Sequence, residues 1–280
     1  MRARPVNDRT LRSQSPSGAN LIEVERAGAV AVLTLNRPAA RNALSVAMLD
    51  AISGAVRTLA ADTSVRAVVI AAAGPAFCAG HDLKELTARR TDPDRGRAFF
   101  ADTLQRCAAM MLAIMHAPKP FIAAVEGAAA AAGCQLVATC DLAVAGANAT
   151  FATPGVNIGL FCSTPMVALS RNLPRKRAME MLLLGVPIGA EAAAGYGLVN
   201  RLAAAGGARA AAIALGQSIA SKSPLTVAIG KEAYYRQLEQ PVAEAYAYAS
   251  EVMVRNMLAR DAAEGIGAFI EKRPPNWNGD

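Results

Sequence analysis

The sequence predicts an α/β fold that is followed by a helical C-terminal region. Apolar runs typical of strands alternate with segments of helical period between residues 21 and 145, and this order of elements indicates an α/β core. Past Gly206 the strand signals stop, and the apolar spacing becomes that of helices. A chain of 280 residues is long enough for one large domain with an appendage.

The first predicted elements are a hairpin, a helix and a strand. Apolar and polar residues alternate on both sides of Ala27-Gly28, as they do in a hairpin. After Asn42 an apolar stripe at helical spacing predicts a helix, and its members are Leu49, Ile52, Val56 and Leu59. Residues 65–74 have the pattern of a buried strand that ends at a Gly-Pro breaker. A polar loop is expected from Ala76 to about Asp94.

A second helix, a strand and a run of small residues come next. The helix is indicated by the aligned apolar residues Phe100, Leu104, Cys107, Met111 and Ile114. The strand FIAAVEG leads into the small residues from Gly127 to Gly133, and Cys134–Thr139 is predicted as a short buried helix. Small residues allow another group to approach the backbone, and the N–H groups at a helix start point outward without partners. This segment therefore suits an anionic or strongly polarised oxygen; close packing of helix on sheet is the alternative.

The predicted organisation of the whole chain has four parts. They are a disordered leader at 1–19, a core at 20–206, a helical region at 207–273 and a tail at 274–280. Helices are expected near 208–221, 225–238, 241–259 and 261–271. The leader is rich in arginine, nearly free of acidic residues and without the apolar stretch of a secretion signal. It predicts a cytoplasmic protein, with a mitochondrial transit peptide as the alternative.

Composition restricts the classes of ligand. The formal charge is +7, but the basic residues are scattered and aromatic residues make up only 5% of the chain, so nucleic acid is not expected as a partner. A small molecule that carries phosphate suits the charge better. No apolar run approaches the length of about 20 residues that a membrane helix needs, so membrane insertion is not expected. The five cysteines lack the paired spacing of zinc ligands, which predicts reduced core thiols and no metal site.

Four segments together resemble a known family. They are FCAGHDLKEL at 77–86, AVEGAAAAAGCQLVATCDLAVA at 124–145, FATPGVNIGL at 151–160 and AFIEKR at 268–273. In this order they resemble the enoyl-CoA hydratase/isomerase, or crotonase, superfamily. The resemblance implies the ClpP/crotonase-like spiral of strand-strand-helix turns with a C-terminal helical trimerisation region. It further implies a homotrimer or a hexamer built as a dimer of trimers, with an acyl-CoA thioester as ligand.

The resemblance implies an oxyanion hole made by two backbone N–H groups. In this family the two groups polarise the thioester carbonyl and stabilise the enolate-like oxygen that forms during the reaction. By motif position we expect the N–H groups of Ala79 and Ala132 to take these roles. Alanine is acceptable at both positions because the backbone, and not the side chain, donates.

The two carboxylates with which family hydratases add water have no counterpart at the matching motif positions of this chain. Their positions hold Gln135 and Gly155, and the place of a third family carboxylate falls near Cys162 and Ser163. Glutamine exchanges no proton near neutral pH, and glycine has no side chain. Gln135 can still orient a water molecule or a substrate. On the sequence alone, glutamates placed at 135 and 155 are expected to restore hydration.

Other candidate bases are His81 and Glu126. His81 follows the first oxyanion motif beside Asp82 and has the unperturbed pKa of a neutral-pH base, although the same residues also suit a role in positioning the loop. Glu126 ends a strand just before the small-residue run, where glutamates are mostly structural. His116 is expected at the surface, and core packing is expected for Cys162.

The resemblance also implies residues that contact the CoA moiety. They are Arg41 in the loop that contains NRPAARNAL, Lys84 after the oxyanion motif, and Phe269 and Lys272 on the last helix, the last two often reaching a neighbouring subunit's site in relatives. No separate cofactor is expected, since coenzyme A is part of the substrate. For each residue the alternative is an ordinary surface charge or core aromatic.

Three functions therefore compete. The first is a fatty acyl-CoA binding protein of fatty acid metabolism with an intact oxyanion hole and weak or altered catalysis. The second is an active enoyl-CoA hydratase or isomerase that uses His81 or Glu126 as its base. The third is a non-enzymatic interaction protein. The oxyanion motifs disfavour the third, and the missing glutamates disfavour the second.

Overall fold

The computed structural model describes residues 20–280, and the leader predicted at 1–19 lies outside the described residues. The strands are β1 (Ile22–Ala27), β2 (Val30–Leu35), β3 (Ala67–Ala72), β4 (Ala76–Cys78), β5 (Phe121–Val125), β6 (Ala128–Ala130), β7 (Leu142–Gly146), β8 (Thr150–Ala152), β9 (Ile188–Gly189) and β10 (Arg201–Ala203). The α-helices are α1 (Val46–Ala61), α2 (Leu83–Ala88), α3 (Arg97–His116), α4 (Ala132–Thr139), α5 (Ser163–Asn172), α6 (Arg175–Leu184), α7 (Ala190–Tyr196), α8 (Ala208–Ala220), α9 (Pro224–Gln237), α10 (Val242–Met257) and α11 (Arg260–Glu271).

Two sheets organise the core. The large sheet has the strand order β1-β2-β3-β5-β7-β10, and the small sheet has the order β4-β6-β8-β9. Strand β1 pairs antiparallel with β2, which confirms the predicted hairpin, and the other pairs of the large sheet are parallel. In the small sheet β4, β6 and β8 are parallel, and β9 is antiparallel to β8.

The chain forms a spiral of strand-strand-helix turns. In each of three turns one strand enters the large sheet and the next enters the small sheet, after which one or two helices follow: β3-β4-α2-α3, β5-β6-α4 and β7-β8-α5-α6. This arrangement confirms the α/β class and the spiral implied by the family resemblance. It also brings the short loops after β4 and β6 side by side, because these two strands are paired.

Two buried layers cover the large sheet. One face packs against α1, α3 and α4 through residues such as Leu49, Met110 and Leu136, all fully buried. The other face packs against α8, where Ala208 and Ala212 lie on the buried valines of β2 and β3. Strand β2 is buried along its whole length, as expected for a strand covered on both faces.

Helix α3 is long and apolar enough to span a membrane by length and composition. It nevertheless packs against α1 and carries Thr103, Cys107 and Ile114 on a buried stripe. The charged side chains of Asp102 and Arg106 lie on its exposed side and bind each other at 2.7 Å. Its apolar residues are therefore those of a core helix that is covered along one side.

The C-terminal region is helical, as predicted, and one buried ion pair joins it to the core. Lys231 of α9 lies 2.7 Å from the Asp141 carboxylate and donates to the carbonyl groups of Ile114 and Lys119 at 2.9 Å each. Tyr235 donates to the same carboxylate at 2.9 Å, and so does the N–H of Phe121 at 2.7 Å. Asp141 thus ties α9 to the beginning of β5.

The prediction of a polar loop from Ala76 to about Asp94 was wrong. That segment contains β4 and α2, and the Asp82 side chain caps α2 by accepting the N–H groups of Lys84 and Glu85 at 3.1 and 3.3 Å. Helix α4 begins at Ala132, two residues before the predicted start. Strands β4, β6 and β8 have three residues each, too short for a periodic pattern.

Candidate active site

In the loop that follows β4, the backbone N–H of His81 has no acceptor among residues 20–280 and faces away from the neighbouring segment. Leu44 donates its N–H to the carbonyl of Gly80 at 2.8 Å, and Asp82 donates to the carbonyl of Leu44 at 3.2 Å. These two bonds form a parallel bridge between Leu44 and His81. In such a bridge the N–H of His81, which lies between Gly80 and Asp82, points away from Leu44. Within residues 20–280 this N–H has no acceptor.

The structure does not support Ala79 as an oxyanion donor. The N–H of Ala79 already donates to the carbonyl of Arg41 at 3.0 Å. A hydrogen bond made in the folded protein would have to break before this group could bind a ligand. The available amide in this loop is therefore that of His81, two residues later along the chain.

The second free donor lies at the start of α4. The N–H of Ala132 belongs to the first helical turn and has no acceptor in the described part of the chain. The preceding amide, that of Ala131, is bound to the carbonyl of Ala152 at 2.9 Å. The N–H of Ala132 is therefore available to a ligand at the positive end of α4, and its role as an oxyanion donor stays a prediction.

Glycine at position 80 allows the two donor segments to meet. Gly80 has φ +91, and a Cβ there would lie 2.9 Å from the Cβ of Ala131 and 3.3 Å from the nitrogen of Ala132. Any side chain would push the His81 loop away from α4. The two free N–H groups thus lie on neighbouring backbone segments that are held together by close contact.

Ala131 holds a strained backbone conformation just before the second donor. Its φ and ψ are 49° and −117°, a region that alanine rarely adopts because its Cβ meets the backbone. Strain of this kind costs on the order of 1–3 kcal/mol and persists where the surroundings require it. Here it turns the chain so that the Ala132 amide points out of the helix start.

We expect Ala131→Gly to raise the free energy of unfolding by about 0.5–1 kcal/mol, because relief of strain exceeds the entropy that glycine adds to the unfolded chain. The control is Ala130→Gly in β6, where φ is ordinary and glycine should lower the same quantity by about 0.5–1 kcal/mol. Urea unfolding of both variants measures the difference. Equal destabilisation by the two changes would show that Ala131 is not strained.

Gln135 occupies the buried wall one turn after the Ala132 donor. Every residue of α4 is buried, and Gln135 is 6% exposed. Its Oε1 is buried and has no hydrogen-bond partner among the described residues. An unsatisfied buried acceptor is costly, so a bound group or water molecule with a proton to donate would be stabilised there. The carboxamide can orient such a group but cannot remove its proton.

Position 155 has no room for a side chain. Gly155 lies in a 3-10 turn at Pro154–Ile158, and the chain curls back so that Leu160 donates its N–H to the Gly155 carbonyl at 2.9 Å. A Cβ at this glycine would lie 2.7 Å from the carbonyl oxygen of Leu160 and 2.9 Å from Sγ of Cys162. A glutamate at 155 would have to displace these neighbours, so we expect it to destabilise the loop and not to restore a catalytic acid.

Cys162 fills this space as a buried thiol. It is 7% exposed, and burial raises its pKa. A raised pKa keeps the thiol protonated near neutral pH, which disfavours a nucleophilic role. Core packing, as the sequence suggested, accounts for Cys162.

The two ring nitrogens of His81 are buried, although the residue as a whole is partly exposed. Neither ring nitrogen has a hydrogen-bond partner within the described residues, and burial lowers the pKa of the ring. The neighbouring Asp82 does not activate it, because that carboxylate binds Arg37 at 2.7 Å and caps α2. His81 therefore lacks the carboxylate partner that usually orients a catalytic histidine.

Glu126 belongs to the opposite side of the large sheet. Its Oε1 accepts the N–H of Ala208, the first residue of α8, at 2.9 Å. A Cβ at Gly146 would lie only 2.3 Å from the same carboxylate, so glycine there leaves space for it. Since α8 and α4 cover different faces of the sheet, the proposal of Glu126 as the catalytic base is contradicted by its position.

The residues expected at the CoA moiety form two groups. Arg41 is exposed, and its carbonyl accepts the Ala79 N–H, while Lys84 lies in the first turn of α2, so both lie beside the His81 loop. Phe269 is 84% exposed on α11, and Lys272 ends that helix with φ +56.

His116, expected at the surface, lines a cavity of about 490 Å³ between the end of α3 and α9.

Asn42 is a site residue that the sequence analysis missed. Its side chain is fully buried; it accepts the Arg37 N–H at 2.8 Å and donates to the carbonyl groups of Ala73 and Ala76 at 2.9 Å each. Asn42 thereby holds the Arg41 loop against β4. The signal available in the sequence was an asparagine at a turn, where its φ of +54 is tolerated.

Comparisons with known proteins agree with the fold and the motifs. The family model for enoyl-CoA hydratase/isomerase matches residues 25–280. The human protein named enoyl-CoA hydratase domain-containing protein 3, mitochondrial, is 43% identical over 95% of this chain and 88% of its own length. The mouse protein of the same name is 44% identical over 94% of this chain and 86% of its own length. The resemblance to this protein that the motifs GHDLKEL, AAAAGCQLVA and FATPGVNIGLFCSTP indicate is confirmed.

Solved structures show the same similarity. A crystal structure of enoyl-CoA hydratase from Mycobacterium smegmatis is 52% identical, with a TM-score of 0.88 over 92% of this chain and 99% of that one. The crystal structure of human enoyl-CoA hydratase domain-containing protein 3 is 43% identical, with a TM-score of 0.87 over 92% of this chain and 100% of that one.

Proposed function

Because the chain belongs to the enoyl-CoA hydratase/isomerase family, we propose that it binds fatty acyl-CoA thioesters with the thioester oxygen between the N–H groups of His81 and Ala132. The observation that carries this proposal is the pair of free backbone donors on two segments in close contact. Two such donors polarise a carbonyl and stabilise the oxyanion that develops when the α-carbon loses a proton.

The proposed chemistry is weak or altered, because the usual proton-transfer groups of a hydratase are absent from the expected positions. Gln135 replaces one carboxylate, and at Gly155 the contacts with Leu160 and Cys162 leave no space for the other. The protein would polarise the thioester and orient its acyl chain or a water molecule through Gln135. A place in fatty acid metabolism is part of this proposal.

The alternative enzyme is a hydratase or isomerase that uses the His81 ring as its base. The specific observation in its favour is that both ring nitrogens are buried and have no partner among the residues that the structure describes, so one of them is free to accept a proton. The lowered pKa of the ring makes it a weak base. A non-enzymatic interaction protein is the third candidate, and the preserved donor pair argues against it.

Binding to a thioester is tested with Ala132→Pro, which removes the N–H at the first helical position, where proline is often accepted. The affinity for butyryl-CoA should fall by at least about two- to tenfold, since one hydrogen bond to a neutral carbonyl is worth roughly 0.5–1.5 kcal/mol and the proline Cδ also occupies the place of the N–H hydrogen. Free CoA has no thioester and should bind nearly as before. Calorimetry on folded protein measures both affinities.

The matched control for this experiment is Ala132→Gly, which keeps the N–H and should bind butyryl-CoA like the unaltered protein. If Ala132→Pro left the butyryl-CoA affinity unchanged, or weakened free CoA equally, the start of α4 would have only its packing role. Absence of butyryl-CoA binding by the unaltered protein would reject the proposed function itself.

We further propose that the protein forms a homotrimer or a hexamer through its C-terminal helices. Large apolar side chains are exposed on α10, on the residue directly after it and on α11 in the single chain: Val242, Tyr246, Met253, Val254, Met257, Leu258, Ile266, Phe269 and Ile270. Apolar surface on this scale is typical of an interface. Light scattering on the purified protein would measure the assembly.

The localisation proposal changes in the light of the comparisons. The relatives from human and mouse carry "mitochondrial" in their names, which favours the mitochondrial alternative over the cytoplasmic location that the leader composition predicted. Cell fractionation with mitochondrial markers would test it.

A further inference from the structure

The last eight residues, Arg273–Asp280, lie back along α11, and we call this segment the strap. Arg273 binds the Glu264 carboxylate through two nitrogens at 2.6 and 2.9 Å, so the chain reverses directly after α11 ends. The N–H of Asn276 donates to the same carboxylate at 2.8 Å. At the far end Asp280 accepts the N–H of Asp261 at 2.9 Å. The strap therefore spans α11 from its last turn to its first.

Asp261 is the central attachment of the strap. It is only 2% exposed, and its carboxylate accepts the N–H of Asn278 at 2.9 Å and the N–H of Gly279 at 3.2 and 3.1 Å to its two oxygens. The Ser223 hydroxyl at the start of α9 donates to it at 2.5 Å. Burial opposes the charge, but these donors hold the pKa of Asp261 below its usual value. One carboxylate thus joins α11, α9 and the strap.

Trp277 makes a second attachment to the neighbouring helices. Its Nε1 donates to the carbonyl of Ser221 at the end of α8, at 2.9 Å. Its ring covers Gly265 of α11, where a Cβ would lie 2.9 Å from the ring. The strap therefore fills the place between α11 and the α8–α9 junction.

Helix α11 has few other attachments within the chain. Only Asp261 and Ala268 are buried among its residues, and Ile266, Phe269 and Ile270 are more than half exposed. A helix with so little buried apolar surface is not fixed by packing alone. Its orientation depends on polar contacts, and most of them belong to the strap.

We propose that the strap sets the orientation of α11 and that Asp261 is a positioning residue for the nucleotide end of CoA, acting through Phe269 and Lys272. This inference rests on the proposed function, because it takes Phe269 and Lys272 as contacts of the CoA moiety. Both residues lie in the last turn of α11 or directly after it, so a tilt of the helix moves them together. The acyl end of the ligand binds at His81 and Ala132, which the strap does not contact.

The test compares two ligands that share a thioester but differ in the nucleotide: butyryl-CoA and butyryl-pantetheine. We expect Asp261→Asn to weaken butyryl-CoA about tenfold, since an amide cannot accept all the donors that the carboxylate accepts. Butyryl-pantetheine should bind within about twofold of the unaltered protein. Calorimetry on the full-length chain measures both affinities, and circular dichroism establishes that each variant is folded.

Trp277→Phe is a milder change, and it tests the strap whether or not the Asp261→Asn protein folds. It removes the bond to Ser221 and the outer ring atoms that cover Gly265, and it should weaken butyryl-CoA about threefold without affecting butyryl-pantetheine. The matched control is Asn276→Ala, since the described contact of Asn276 uses its backbone N–H, and both ligands should bind as before.

Four results would overturn the inference. Unchanged butyryl-CoA affinity in a folded Trp277→Phe or Asp261→Asn protein would show that the strap does not position the CoA contacts. Equal weakening of both ligands would show a general structural effect. If the unaltered protein bound butyryl-pantetheine but gained nothing from the nucleotide, α11 would have no CoA role, whereas failure to bind either ligand would reject the proposed function as well.

Discussion

Hydration of crotonyl-CoA by this protein should be at least about a thousand times slower than by a relative that carries both glutamates, because each general acid or base contributes roughly 10²- to 10⁴-fold. Gln135 transfers no proton, and Gly155 offers no group that could. The loss is expected in kcat more than in KM, since the thioester donors remain. The measurement is the decrease in enoyl-thioester absorbance at saturating substrate, with the two enzymes assayed side by side.

The control for slow hydration is direct binding of butyryl-CoA, which separates weak chemistry from an empty site. His81→Ala keeps the backbone N–H of residue 81 and removes only the ring, so it tests the remaining candidate base. Hydration at ordinary enzyme rates that disappeared in His81→Ala would contradict our proposal and establish the alternative enzyme. Gln135→Glu supplies one carboxylate in an existing side-chain position and should raise the residual rate.

Gly155→Ala should lower the free energy of unfolding by about 1–3 kcal/mol, and Gly155→Glu by at least as much. The new Cβ would collide with the carbonyl oxygen of Leu160 and with Sγ of Cys162, and one of these neighbours is backbone, which yields only with strain. Urea unfolding of purified variants measures the change. The Gln135→Glu, Gly155→Glu double variant should consequently fail to become an ordinary hydratase.

Gly54→Ala is the matched control for this effect. Gly54 lies inside α1, where a Cβ meets no atom within 4 Å, so alanine should raise the free energy of unfolding by about 0.5–1 kcal/mol. If Gly155→Ala proved as harmless as Gly54→Ala, the loop at 155–162 would be adaptable. In that case the loop could accommodate a larger side chain, and a carboxylate could be placed at position 155.

The parts of the fold that depend on local pattern could be predicted from the sequence. The C-terminal helices have long apolar periods, and their observed bounds, such as Ala208–Ala220 and Arg260–Glu271, differ from the predicted ones by two residues at most. The hairpin around Gly28 was equally clear because its alternation is local. In contrast, β6 consists of three alanines and becomes a strand only because β4 and β8 flank it.

The candidate site was less predictable, because its decisive features depend on long-range pairing. Ala132 could be identified from the start of a helix, which is a local feature. The Ala79 N–H faces Arg41 and is occupied, whereas the His81 N–H faces away from Leu44 and is available. This pairing register is set by residues more than thirty positions earlier in the chain, so it could not be predicted from the local sequence. The same holds for Glu126, whose partner Ala208 is distant in sequence.

The contact of Gly155 with Leu160 and Cys162 has a consequence for how this protein could change over generations. Recovery of a catalytic acid at position 155 by one substitution would first destabilise the fold, so Cys162 would have to become smaller and the loop around Leu160 would have to move beforehand. Each of these steps alone offers no catalytic benefit. The packing of three neighbouring residues therefore opposes the gain of an acid at position 155, and it would direct new activity toward the groups that are present, namely Gln135, His81 and the two backbone donors.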